Sequence, residues 1–248
     1  MARAEMVSDN VREFILPVCD AKIEDGQVVA EGSKLVGTCF LIGSRGYALT
    51  AAHVIDQMDE SAARVFVPDP VGFDVSNITE HEKHSDEDIG ILKIDLPRPI
   101  ISPIIFADHE PPPSYEYSMW AFPEVIAEEV RYHDWPRDLP QFRPAHVYFR
   151  GYVRRKLSHS PNPSFSSYVG KHFYEVSEIA GACSSGAALT TITNPPAVFA
   201  IYIGDEQTGR RCGYAMNAMK VLDWTPRILG KAIRDEAVGA NPVDSSDV

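Results

Sequence analysis

The sequence has few cysteines and no long apolar run. Its four cysteines show none of the paired spacing that is typical of a disulfide framework; they are Cys19, Cys39, Cys183 and Cys212. No apolar stretch approaches the roughly 20 residues that a membrane span needs, and residues 1–10 lack an apolar core of signal-peptide length. We therefore expect free thiols in a reducing cytoplasm and no membrane partner.

The chain is also short of positive charge. It carries 23 Lys and Arg against 35 Asp and Glu, for a formal net charge of −12 at pH 7. A nucleic-acid binder needs a basic face to neutralise phosphates, so we expect no nucleic-acid partner. We interpret the excess of acidic residues as a contribution to solubility.

No long segment with helical periodicity stands out before the end of the chain, although an apolar content of 44% is enough for a core. Short β-prone segments separated by Gly, Pro and Asp turns favour a barrel or a sandwich. The proline-rich residues 97–113 cannot feed the centre of a sheet, which places a boundary near them. We predict four parts: a domain at 11–110, a domain at 111–224, a C-terminal helix at 225–240 and a disordered tail at 241–248.

Residues 124–144 are charged, aromatic and interrupted by prolines. This composition predicts a long irregular excursion from the second domain. It is the candidate contact for a regulatory protein partner.

The stretch from Gly46 to Val54 surrounds His53 with small residues. Small neighbours leave an imidazole room to be held in one orientation, as a catalytic base requires. The alternative is a core histidine whose ring is satisfied by a backbone carbonyl.

Two later stretches favour the catalytic interpretation. Residues 86–94 form an acidic turn that leads into an apolar segment, and residues 181–189 place serines among small residues. A serine hydroxyl is a poor nucleophile unless a base takes its proton and an acceptor orients that base. The order histidine, aspartate, serine is one of the known chain orders of such a triad.

These motifs resemble the chymotrypsin/trypsin-like serine proteases, and most closely their bacterial, disulfide-free branch that includes the Deg-type proteases. The matching segments, spread from about residue 35 to about residue 220, are 37–42, 49–54, 88–92 and 185–189, with weaker matches at 120–123, 199–201 and 213–216. The resemblance implies an all-β fold with two six-stranded antiparallel β-barrels and a short C-terminal helix. It also implies a cytoplasmic trypsin-like serine endopeptidase that cleaves protein or peptide substrates through an acyl-enzyme, with no cofactor and no metal.

The resemblance also implies a role for each matched residue. His53 is the general base, and Ser185 is the nucleophile. Asp88 orients the histidine because it directly precedes the apolar strand; its neighbours Asp86 and Glu87 compete for this role. The backbone N–H groups of Cys183 and Ser185 form the oxyanion hole.

Two alternatives remain open at this stage. The family usually has glycine where Cys183 stands, and a β-carbon there strains or flips the peptide. A defective oxyanion hole would leave a pseudoprotease that only binds its target. In the other alternative Cys183 itself attacks, with Gly181 upstream of it, as in the viral cysteine proteases of this fold.

Substrate contacts are also implied by the resemblance. An edge strand formed by Ala200, Ile201 and Tyr202 would pair with an extended peptide, and Gly213 would help to shape the pocket for the residue before the cut. The base of that pocket would lie near Ile179. No acid stands at this position, so we expect an apolar or small side chain before the cut.

Overall fold

The computed structural model describes residues 11–24, 27–69, 72–124, 144–159, 169–206 and 211–238. The predicted tail at 241–248 and nearly all of the excursion at 124–144 lie outside these ranges. Among the described residues, no helix has the length and apolar character required to cross a membrane.

The first half of the chain forms a closed barrel of six antiparallel strands in the order β1-β2-β3-β6-β5-β4. Its strands are β1 (Ile15–Glu24), β2 (Gln27–Ile42), β3 (Tyr47–Thr50), β4 (Ala63–Asp69), β5 (Gly72–Lys83) and β6 (Gly90–Ile94). The barrel closes where β1 pairs with β4, with Val18 opposite Val65. A short helix, α1 (Ala52–Gln57), follows β3 directly.

The second half forms a seven-stranded sheet in the order β11-β8-β9-β10-β13-β12-β7. Its strands are β7 (Ile105–Phe106), β8 (Glu116–Ala121), β9 (Val147–Leu157), β10 (Phe173–Val176), β11 (Ala188–Thr191), β12 (Ala197–Glu206) and β13 (Cys212–Asn217). Pairing between β11 and β12 closes six of these strands into a barrel, and β7 is attached to β12 in parallel. The predicted fold of two six-stranded antiparallel barrels is therefore confirmed.

The C-terminal helix begins later than the sequence pattern suggested. Pro226 accepts backbone hydrogen bonds from Leu229 and Gly230, so the chain turns there, and Gly230 has a φ of 74°. The helix α2 (Ile233–Val238) follows this turn. It packs on the first barrel, where the buried carboxylate of Glu236 lies 2.6 Å from the Arg45 guanidinium.

One contact between the two barrels is made by His146, which precedes β9. Its Nε2 lies 3.0 Å from the carbonyl oxygen of Ile15 in the first barrel, while its Nδ1 accepts a hydrogen bond from Arg12. The ring centroid lies 3.9 Å from that of Phe122. This arrangement suits a neutral ring that carries its proton on Nε2, since a proton on Nδ1 would point at the Arg12 donor. Burial accordingly lowers the pKa of His146 from 6.5 to about 4.

A stability change in mild acid follows from the lowered pKa of His146. Between pH 6.5 and about 4 the unfolded chain binds a proton at this position that the folded chain does not. The free energy of unfolding therefore falls as the pH is lowered through this window, by about 2–3 kcal/mol from this group. Chemical denaturation at several pH values measures this change. His146→Gln is expected to remove this pH dependence, whereas His159→Gln, at an exposed position, should leave it intact. If the free energy of unfolding of His146→Gln fell with pH as steeply as that of the wild type, the assignment to His146 would be wrong.

Candidate active site

His53 lies in α1, immediately after the buried strand β3, and is only 8% exposed. Its position is fixed by both carboxylate oxygens of Asp88. The backbone N–H of His53 donates to Oδ1 at 2.9 Å, and Nδ1 lies 2.7 Å from Oδ2. An ionised carboxylate in this position requires the neutral ring to carry its proton on Nδ1. The other ring nitrogen, Nε2, is then left in the form that accepts a proton.

The three neighbouring acids have different surroundings. Asp88 is 1% exposed and contacts His53, whereas Asp86 is exposed and accepts a hydrogen bond from the Ser85 hydroxyl. Glu87 is buried, and its side chain contacts the second barrel, where its Oε1 lies 2.7 Å from Nδ1 of His172. Asp88 is therefore the carboxylate of the three that orients the histidine.

Ser185 lies in the turn between β10 and β11, and a residue of the first barrel holds this turn. Thr38, in β2, donates its backbone N–H to the Ser185 carbonyl oxygen at 2.8 Å and its hydroxyl to the Cys183 carbonyl oxygen at 3.0 Å. On the other side, Gly186 donates its N–H to the carbonyl oxygen of Tyr202 at 2.7 Å. This turn between β10 and β11, called the nucleophile turn after the role predicted for Ser185, is thus fixed to both β2 and β12.

The Ser185 hydroxyl donates to the carbonyl oxygen of Ile203 at 3.0 Å. The pairing of β12 with β13 shifts register between Tyr202 and Gly204, at the position of Ile203. A hydroxyl has one proton, so in this rotamer it is not donated to His53. Attack by Ser185 therefore requires its hydroxyl proton to leave the Ile203 carbonyl oxygen.

Cys183 adopts the backbone conformation that glycine normally provides. Its φ is 66°, in the left-handed region that costs other residues roughly 1–2 kcal/mol. The Ala182 carbonyl accepts a hydrogen bond from the backbone N–H of Glu124 at 3.0 Å. Within the described part of the chain, no backbone carbonyl accepts a hydrogen bond from the N–H of Cys183 or Ser185.

The thiol of Cys183 is held in its protonated form. Sγ lies 3.2 Å from the carbonyl oxygen of Leu35, as a donor. Burial, with a smaller contribution from Glu124, raises the pKa of this thiol to about 12. At neutral pH almost no thiolate is present, and thiolate is the nucleophilic form of cysteine.

A cavity of about 440 Å³ lies over these residues, between the two barrels. Both His53 and Ser185 line it. The other lining residues are Lys34, Leu35, Val36, Gln57, Glu124, Gly181, Ala182, Cys183, Gly204 and Asp205. Backbone donors, a base and a hydroxyl thus share one concave site, which is the arrangement that acyl transfer requires.

The predicted substrate contacts of β12 are wrong. Ala200, Ile201 and Tyr202 are each 0% exposed, and this part of β12 pairs with β11 on one side and β13 on the other. No edge remains there for a peptide. The residues of β12 that line the cavity are Gly204 and Asp205, two to four positions further along.

Gly213 does not line the cavity either. It packs behind Tyr202, where a β-carbon would lie 2.7 Å from Cε2 of that ring. The Tyr202 hydroxyl accepts a hydrogen bond from the backbone N–H of Ala180 at 3.0 Å. The tyrosine side chain therefore fills the space beneath the nucleophile turn.

Three residues with roles in the site were missed by sequence reasoning. Thr38 was noted only as part of a strand motif, and nothing local to it predicts a bond to residue 185. Gly204 and Asp205 end a long apolar run; that break is the one signal that could have marked where β12 reaches the cavity.

Within the described ranges, no group of three or more His, Cys, Asp or Glu side chains is arranged to hold a metal ion. The closely spaced His81 and His84 have other partners: His81 lies 3.3 Å from Glu60, and His84 accepts the backbone N–H groups of Asp86 and Glu87. All four cysteines are free.

Comparisons with known proteins bear on the family and the fold of the chain. Residues 37–194, well over half of the chain, match the family model described as a trypsin-like peptidase domain. No curated protein sequence matches the chain.

Solved structures share the fold at low sequence identity. The active form of the Rv3671c protease from M. tuberculosis has a TM-score of 0.58 at 16% identity, over 87% of this chain and 80% of that one. The MamO protease domain from Magnetospirillum magneticum has a TM-score of 0.59 at 13% identity, over 86% and 96%. The HtrA-type protease AlgW, solved with a tripeptide, has a TM-score of 0.61 at 14% identity, over 91% and 63%.

The family match, supported by the double-barrel fold, identifies the family: the chain belongs to the trypsin-like peptidases.

Proposed function

We propose that the protein is a serine endopeptidase that cleaves protein or peptide substrates. The observation that carries the proposal is the double hydrogen bond from His53 to the buried Asp88, in a cavity that His53 shares with Ser185. This arrangement leaves Nε2 of His53 as the only ring nitrogen able to take a proton.

In the proposed reaction, Ser185 turns its hydroxyl from the Ile203 carbonyl towards His53. Nε2 takes the proton as Oγ attacks the peptide carbonyl carbon, and Asp88 stabilises the imidazolium that forms. The N–H groups of Cys183 and Ser185 stabilise the oxyanion. His53 then gives the proton to the leaving amine as the peptide C–N bond breaks. In the second half of the reaction, His53 takes a proton from the attacking water and returns it to Oγ of Ser185 as the acyl-enzyme bond breaks. No metal or organic cofactor takes part.

We also propose that the protein works in the cytoplasm, with a protein partner that controls its activity. Four free cysteines support a reducing compartment. The resting orientation of the Ser185 hydroxyl towards Ile203 supports a need for activation.

Two specific observations favour a second candidate, a binding module without catalysis. Cys183 has the φ of a glycine position, and the Ser185 proton is engaged by a backbone carbonyl. The third candidate, a cysteine peptidase, has less support because the Cys183 thiol is protonated and hydrogen-bonded to Leu35.

Labelling with a fluorophosphonate probe, followed by intact-mass mapping of the adduct, tests these candidates. We expect one adduct on Ser185 in the wild type, lost in Ser185→Ala and His53→Ala and retained in Cys183→Ala. Ser184→Ala is the matched control, because that neighbouring hydroxyl is buried and donates to the Ala180 carbonyl. An unlabelled wild type would overturn the proposal for the isolated chain and favour the binding module. Loss of an adduct only in Cys183→Ala would favour the cysteine peptidase.

A further inference from the structure

The cavity beside Ser185 carries an excess of negative charge. Its charged lining residues are Lys34, Glu124 and Asp205. Lys34 is already paired, since its ammonium group lies 3.0 Å from the carboxylate of Asp20 outside the cavity. The lining therefore carries two carboxylates against one cation, and that cation also interacts with Asp20.

Asp205 is held so that one of its oxygens stays open. Its Oδ2 accepts hydrogen bonds from the backbone N–H of Gly181 at 2.9 Å and from the Tyr202 hydroxyl at 3.2 Å. Among the described residues, none donates a hydrogen bond to Oδ1. The carboxylate is thus fixed in orientation by the nucleophile turn and by β12, and it has an acceptor left for a ligand.

Glu124 brings the second carboxylate to the same cavity. Its backbone N–H donates to the Ala182 carbonyl oxygen at 3.0 Å, which fixes its main chain beside the nucleophile turn. The side chain is exposed, so solvent screens its charge more than that of the half-buried Asp205. We expect Asp205 to contribute more than Glu124 to binding.

We propose that Asp205, assisted by Glu124, makes this cavity select substrates with a lysine or arginine side chain next to the bond that is cut. The inference rests on the proposed function and adds a substrate class to it. An anionic side chain is disfavoured by both carboxylates. A neutral side chain leaves Oδ1 of Asp205 without a donor, and an unpaired polar group loses binding energy when it is desolvated. The preference for a basic residue arises from β12 rather than from the position near Ile179, where the sequence has no acid.

Peptide binding to the Ser185→Ala protein tests the inference separately from catalysis. The probes are fluorescent peptides of Gly, Ala and Ser with one variable position, which is lysine, norleucine or glutamate and is moved along the peptide. Acetylated N-termini remove the competing α-amino cation. We expect at least one position at which lysine binds about tenfold more tightly than norleucine, the ratio for one charge-assisted hydrogen bond worth about 1.4 kcal/mol. Glutamate is expected to bind more weakly than norleucine.

Variants assign the preference to particular carboxylates. In the Ser185→Ala background, Asp205→Asn keeps an acceptor for Gly181 and is expected to reduce the lysine preference to about twofold; Glu124→Gln reduces it less. Glu206→Gln is the matched control, since it removes the same charge from the next residue of β12, outside the cavity lining. It is expected to leave the preference unchanged.

The possible outcomes separate the inference from the proposed function. Equal binding of lysine and norleucine at every position would overturn the inference, even if fluorophosphonate labelling confirms a serine peptidase. A lysine preference that Asp205→Asn leaves intact, or that Glu206→Gln reduces equally, would overturn the role of Asp205. A preference lost only in Asp205→Asn, in a protein that the probe does not label, would support the inference and contradict catalysis.

Discussion

Asp88→Asn is expected to lower the rate of peptide hydrolysis about ten-thousand-fold. The asparagine oxygen can still accept the backbone N–H of His53, so the site should keep its shape. Its amide group, however, would donate to Nδ1 where the carboxylate accepted. The imidazole would then carry its proton on Nε2 and could not take one from Ser185. The measurement is kcat/KM on a fluorogenic peptide, with a denaturation curve to show that the variant is folded.

Asp86→Asn is the control for the loss of charge in the same turn. Asp86 is exposed and is bonded to the Ser85 hydroxyl, so its substitution should change kcat/KM less than twofold, in keeping with the weak effect of exposed charges. Similar losses in the two variants would mean that the acidic turn acts through its overall charge, and that Asp88 does not set the tautomer of His53.

Short local motifs, through the family that they resemble, were enough to predict the contact between His53 and Asp88. The small residues before His53 and the apolar strand after Asp88 are continuous motifs, and each predicts the environment of a single side chain. The local pattern predicted only the class of fold, because short β-prone segments separated by turns favour a closed barrel or a sandwich; the two six-stranded barrels were implied by the family resemblance. These features depend on neighbours in the chain.

The rest of the site depends on contacts between residues that are far apart in the sequence. The bonds from Thr38 to the nucleophile turn span nearly 150 positions, and no local pattern encodes them. The error at Ala200, Ile201 and Tyr202 has a different cause. Residues 197–203 are apolar throughout, and a strand buried on both faces lacks the alternation that would reveal its register.

The site is shared between the barrels, so its geometry depends on how they are held together. Thr38 binds the nucleophile turn from the first barrel, while Glu87, beside Asp88, reaches His172 in the second. Each half of the proposed catalytic group is thus fixed to the opposite barrel. This explains why a substitution in the nucleophile turn should disturb the fold as well as the chemistry.

Gly186→Ala is expected to destabilise the protein by roughly 4 kcal/mol and to abolish hydrolysis. A β-carbon at this position would overlap the Thr38 carbonyl oxygen and the Thr50 hydroxyl, and the φ of 95° disfavours any side chain. The Thr38 oxygen is already fixed by a hydrogen bond from Thr50 at 2.7 Å. Relief of the overlap must therefore move β2 away from the nucleophile turn. Urea denaturation and kcat/KM measure the two effects.

Gly181→Ala separates this overlap from backbone strain in the same turn. Gly181 has a similar φ of 80°, but a β-carbon there would meet no atom within 4 Å. The strain alone is expected to cost about 1 kcal/mol. A large difference between the two variants would show that close packing of β2 against Gly186 holds Ser185 in place. If both variants lost the same stability, left-handed backbone geometry would account for the whole effect, and the contact between the barrels at Thr38 would not be what fixes the nucleophile.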